Sequence, residues 1–165
     1  MGARRGEVLR PCLALAAVFW ALAASAPAAL HRMPEVYVAV EESDLDGKDI
    51  TAVTVRLEAE DAYLIAASAY GHDVRLADDR SRQLIAQRVR RAIVSPTEGI
   101  TSLGVEIDGD LVFVYLAGPA DARIVETRIL ASVHESWTNY VRDTRGDEPV
   151  TRMFTQRGPM ADHRH

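Results

Sequence analysis

The chain has 165 residues, with 19 Lys or Arg against 24 Asp or Glu and a formal net charge of −5. That length suffices for one domain with its own core. The acidic balance argues against nucleic acid as a partner held by bulk charge. The single cysteine, Cys12, excludes an internal disulfide.

The first 28 residues read as a secretory signal peptide. Arg4, Arg5 and Arg10 form a basic start, Cys12 to Ala24 runs without a charge, and Ser25-Ala26-Pro27-Ala28 is small and weakly polar. Ala26 and Ala28 fit the small-x-small rule for cleavage between Ala28 and Ala29. A cut after Ala26 would place Pro27 first in the mature chain, which peptidases resist. The uninterrupted apolar core, Cys12 to Ala24, falls short of the roughly 20 residues that a spanning helix needs. If it stays uncut, residues 12–30 are a membrane anchor instead. Cleavage removes Arg4, Arg5 and Arg10 against Glu7, so the net charge moves from −5 to −7. It also removes Cys12, and the mature domain must stand on its core alone.

Beyond the leader, Val36 to Val40 alternates as a strand does. Asp46-Gly47 is a hairpin dipeptide, and Ile50 to Leu57 is a β-branched second strand with Val53, Val55 and Leu57 on one face. The period then changes. Glu58 to Tyr70 reads as a helix with Glu60 and Asp61 in its first turn and Gly71 as its stop. Asp78-Asp79 caps a second helix reaching to about Ile93, with Leu84, Ile85, Val89, Ala92 and Ile93 as its buried stripe. Strands follow over Leu103 to Ile107 and Leu111 to Leu116. A further strand is expected with Val125, Thr127, Ile129, Ala131 and Val133 facing inward, then two more over Trp137 to Arg142 and Val150 to Gln156. Phe113, Tyr115, Trp137 and Tyr140 alternate with apolar residues and read as core.

These elements predict a mainly β, α+β fold. The expected architecture is a two-layer antiparallel β-sandwich of about seven strands, with the helices inserted after the second strand. The alternative is a single antiparallel sheet with both helices on one face. The expected layout is a signal peptide over 1–28, one exported domain over 29–157 and a flexible tail over 158–165.

His31 ahead of the strand Val36 to Glu42, the strand-to-helix passage Arg56 to Ala62, the stretch Leu103 to Leu116, and the closing Phe154-Thr155-Gln156-Arg157-Gly158-Pro159 together resemble a family of bacterial exported domains of unknown function. The likeness spans His31 to about Pro159. At one corner the chain departs from the family: His134-Glu135-Ser136-Trp137 stands where similar proteins often read Phe-Pro-Asp-Gln, ahead of the matching Asn139 and Val141. The resemblance implies a secreted β-rich domain and no reaction.

Four features bear on chemistry. Cleavage after Ala28 would leave Ala29-Leu30-His31 as the terminus. Its α-amine, two backbone amides and an imidazole form a planar four-nitrogen set suited to Cu(II) or Ni(II). That binding displaces protons and strengthens as pH rises. His134 beside Glu135 has the residue types of a base with an orienting acid, but no serine or cysteine stands in a nucleophile motif. Asp44, Asp46 and Asp49 lack the frame of a calcium loop and read as a solvated turn. Arg80, Arg82, Arg88, Arg90 and Arg91 make the second helix basic, either as a solvated face or as a dock for an acidic partner or membrane headgroups.

Together these features lead to a non-enzymatic domain, periplasmic or extracellular, that binds or supports an envelope protein. The alternative function is Cu(II) or Ni(II) binding or delivery through Ala29, Leu30 and His31. No nucleic acid is expected, and a membrane only through an uncut leader.

Overall fold

The computed structural model describes residues 33–71 and 74–163. The chain opens with a long hairpin, β1 (Glu35–Leu45) and β2 (Lys48–Glu58). Asp46 and Gly47 close it with φ of 55° and 75°, which is why an Asp-Gly pair stands there. The Gly47 N–H donates to Asp44 Oδ1 at 3.0 Å, so the Asp44 carboxylate serves the turn. β2 runs straight into α1 (Ala59–Tyr70), which stops at Gly71 with φ 86°. Helix α2 (Asp79–Ala92) follows, burying Ile85, Ala86 and Val89. The remaining elements are β3 (Ile93–Val94), β4 (Thr101–Asp108), β5 (Leu111–Pro119), β6 (Glu126–Thr127), β7 (Thr138–Asp143), β8 (Val150–Thr155) and β9 (Gly158–His163).

The fold is mainly β with two helices, an α+β arrangement, but the strands do not form a two-layer sandwich. Seven of them make one sheet in the order β4-β5-β2-β1-β7-β8-β9, and β3 pairs with β6 in a separate two-stranded ribbon. The single-sheet alternative is closer to what is seen. That sheet is mixed, however, because β7 lies parallel to β1 and every other pairing in it is antiparallel. A parallel neighbour needs a long crossover. The segment between β5 and β7 supplies it and buries Ala122, Ile124, Ile129 and Leu130 on the way.

Among the described residues the core lies on one face of the sheet. Val36, Val38 and Val40 of β1, Val53, Val55 and Leu57 of β2, and Val112, Val114 and Leu116 of β5 are all at most 2 % exposed. Directly paired residues share a face, and these positions pair with one another. Ile65 of α1, Ile85 and Val89 of α2, and Ile124 and Leu130 of the crossover join them in one cluster. Each fully buried aliphatic side chain contributes about 1.5–3 kcal/mol relative to exposure.

Three expectations fail for local reasons. Residues 125–133 hold only the two-residue β6. The segment turns instead of extending: the Ala131 N–H donates to the Arg128 carbonyl, and the Val133 and His134 N–H groups both donate to the Leu130 carbonyl. The stretch expected to be a loose tail instead places Gly158–His163 as β9 against β8. Phe113, Tyr115 and Tyr140 are not core, because they occupy the strand positions opposite in parity to the buried valines. Trp137, 6 % exposed, is core as expected.

Candidate functional site

The face of the sheet away from the helices carries a transverse row of unusual composition. Cross-strand pairing sets Glu106 beside Phe113, Phe113 beside Arg56, Arg56 beside Tyr37, Tyr37 beside Tyr140, and Tyr140 beside Met153. One register thus crosses six strands. The Tyr37 and Tyr140 rings stack with centroids 5.2 Å apart and planes 17° off parallel. The Arg56 guanidinium lies 4.4 Å from the centre of the Tyr37 ring, a cation–π contact. Tyr37 therefore lies between its two neighbours, and it remains 40 % exposed.

Acidic side chains hold the hydroxyls of this face. Tyr37 donates to Glu35 Oε2 at 2.8 Å, and Tyr115 donates to Glu106 Oε2 at 2.8 Å. Both phenols are held above the usual value of 10, chiefly because the bonded carboxylate favours the protonated hydroxyl. Tyr140 is raised as well, first through burial.

Sequence reasoning missed this row. The readable signal was an aromatic or arginine at successive positions between the core valines: Tyr37, Arg56, Phe113, Tyr115 and Tyr140. The sequence reading places Phe113, Tyr115 and Tyr140 in the core instead.

His134 is placed differently from its sequence reading. Its partner is Asp61, in the first turn of α1, with Nε2 2.7 Å from Oδ1. Glu135 is exposed. Asp61 is 7 % exposed. His134 lines a cleft of about 610 Å³ with Glu126, Arg128, Ser132, Glu135 and Trp137. Arg128 in that cleft is neutralised by Glu126 at 2.6 Å. The pair joins the first turn of α1 to the turn ahead of β7.

A second polar cluster ties the strand ends together. Arg145 donates through Nε and Nη2 to both carboxylate oxygens of Asp143, at 2.9 and 2.6 Å. Its Nη1 donates to Thr51 Oγ1 at 2.9 Å and to the Ala122 carbonyl. The guanidinium holds the Asp143 carboxyl below its usual value.

A third feature is a groove of about 550 Å³ between α2 and β4, which includes Arg82 and Arg90 from the basic helix. Arg80 instead lies 4.1 Å from the centre of the Tyr70 ring, and Arg88 and Arg91 are exposed.

Ala29, Leu30 and His31, the expected Cu(II) or Ni(II) ligands, lie outside the described residues. Among the described residues no group of three or more His, Cys, Asp or Glu side chains converges as a metal site. No described helix is long and apolar enough to cross a membrane.

No protein-family model matches the chain. Nor does any curated protein match it at a significant level.

Proposed function

We propose that this chain is an exported, non-enzymatic domain, periplasmic or extracellular, whose uncovered sheet face binds an envelope protein. The observation that carries this reading is the Arg56–Tyr37–Tyr140 stack with Phe113 and Met153 at its ends. Solvated sheet faces are ordinarily polar. Tyrosine, arginine, phenylalanine and methionine are the residue types enriched at protein interfaces. Tyr37 is stacked between Arg56 and Tyr140 before any partner arrives, which lowers the ordering cost of association. The signal-like first 28 residues and the resemblance of residues 31–159 to exported domains of unknown function support the compartment.

The test is mild crosslinking of the tagged, exported protein, followed by affinity capture from envelope extracts. A defined envelope protein is expected with the native chain and is lost with Tyr37→Ser/Tyr140→Ser, while circular dichroism of the variant stays native. Equal capture by the variant, or no partner at all, refutes the proposal. The intact mass of the exported protein is expected to start at Ala29.

A further inference from the structure

β4 is the edge strand of the seven-stranded sheet, and its outer side pairs with no strand among the described residues. An unpaired edge offers a row of N–H and C=O groups to an extended segment. Helix α2 runs beside this edge, and the two enclose the groove of about 550 Å³. On the helix side the lining residues recur at helical spacing from Asp79 through Arg82 and Ala86 to Arg90, and on the strand side they are Ser102 to Val105. An edge strand flanked by a helix is the geometry that lets a peptide add as a further strand while alternate side chains enter the groove.

Three details select the occupant. The pairing of β4 with β5 shifts between Ser102 and Gly104, leaving Leu103 as a bulge, 53 % exposed at the groove. Gly104 has no positive φ, and a Cβ added there would meet nothing within 4 Å. Neither backbone conformation nor internal packing requires a glycine at this place. A glycine within a strand also marks a site of close backbone approach from outside. Finally, Arg82 Nε is buried and has no hydrogen-bond partner among the described residues. A buried guanidinium nitrogen left unpaired is costly, and a carboxylate is its natural acceptor. Arg90, which donates through Nε to the Ile100 carbonyl at 2.7 Å, adds a second positive charge to the same wall. Asp79 stands at the far end of the stripe.

We infer that the α2–β4 groove binds an extended peptide segment of a partner protein by strand addition to β4, with an Asp or Glu side chain of that segment paired to Arg82. β4 continues beyond the groove to Asp108, so the segment passes through and the carboxylate is a side chain's rather than a chain terminus. This surface is separate from the tyrosine row and stands independently of it.

The experiment uses the domain beginning at Ala29 as bait for a displayed library of random, terminally blocked peptides. Selected peptides are then titrated into the isotope-labelled domain. Enriched peptides are expected to carry one Asp or Glu at a fixed place among alternating apolar residues, and to shift the amide resonances of Thr101 to Asp108 and of α2. Arg82→Gln is expected to weaken binding about tenfold, the scale of a charge-assisted hydrogen bond, and an acid-to-amide change in the peptide should do the same. Gly104→Ile, at a place where an added Cβ meets nothing within 4 Å, should abolish binding without lowering the thermal midpoint. Tyr37→Ser/Tyr140→Ser should bind the peptides normally, which separates this result from the fate of the sheet-face proposal. No enrichment, enrichment without a fixed acid, or shifts confined to other elements would overturn the inference.

Discussion

The His134 imidazole and the Asp61 carboxylate meet across 73 positions of sequence, with Nε2 2.7 Å from Oδ1. Asp61 also serves the first turn of α1, where the helix dipole favours an acid. One carboxylate thus begins a helix and fastens the turn that precedes β7. Asp61→Ala should lower unfolding free energy by about 1–3 kcal/mol, because it leaves the imidazole without its acceptor. Urea unfolding of Asp61→Ala, His134→Ala and the double variant forms the check. The double variant should lose clearly less than the two single losses combined, and strict additivity would contradict a direct bond.

The Asp143–Arg145 pair predicts acid sensitivity. The folded chain holds the Asp143 carboxyl below its ordinary value of 3.8. Its contribution is therefore complete above that value and is lost as pH falls through the lower, folded-state pKa. Arg145→Met should cost about 1–3 kcal/mol at pH 7. The gap between native and variant unfolding midpoints should narrow below about pH 4. It should not close, because the Arg145 bonds to Thr51 and Ala122 do not depend on the carboxylate. A pH-independent gap would disprove the assignment.

At alkaline pH the sheet face responds with the opposite sign. Tyr37 and Tyr115 are held above 10 by Glu35 and Glu106, so their contribution is present below the ordinary value and is lost as pH rises through the raised one. In a spectrophotometric titration, Glu35→Gln should move the Tyr37 transition, and with it that of Tyr140, to lower pH and leave that of Tyr115 in place. Superimposable titration curves would show that Glu35 does not hold the Tyr37 hydroxyl in solution.

Two glycines should behave oppositely on substitution. A Cβ at Gly118 would stand 3.1 Å from both Ala122 Cβ and Ile100 Cγ1, which are themselves buried. Gly118→Ala should therefore cost about 1–3 kcal/mol through overpacking. Gly104→Ala meets nothing within 4 Å and should raise stability by about 0.5 kcal/mol through reduced freedom of the unfolded chain. Thermal unfolding of the two variants, measured side by side, checks both signs.

Much of the local structure was legible from neighbouring residues alone. Asp46-Gly47 specified its turn because few residue pairs accept positive φ twice. Gly71 ended α1, and Ile85 and Val89 marked the buried side of α2, because helical period and capping are short-range properties. The pairing of β1 with β7, the reach of Asp61 to His134 and the burial of both Ile129 and Leu130 were not legible. Each depends on where a crossover brings distant segments, and no local period records that.

The sequence by itself determined the acidic balance, the two helices and most of the strands, since all of these follow from composition and nearest neighbours. Only the tertiary structure decided which side of each strand is covered. Alternation separates two faces but does not say whether the second is buried. With the helices and the crossover all packed on the valine face, Tyr37, Arg56, Phe113 and Tyr140 were left facing outward. Aromatic residues that alternation alone reads as core thereby line the other face of the sheet among the described residues.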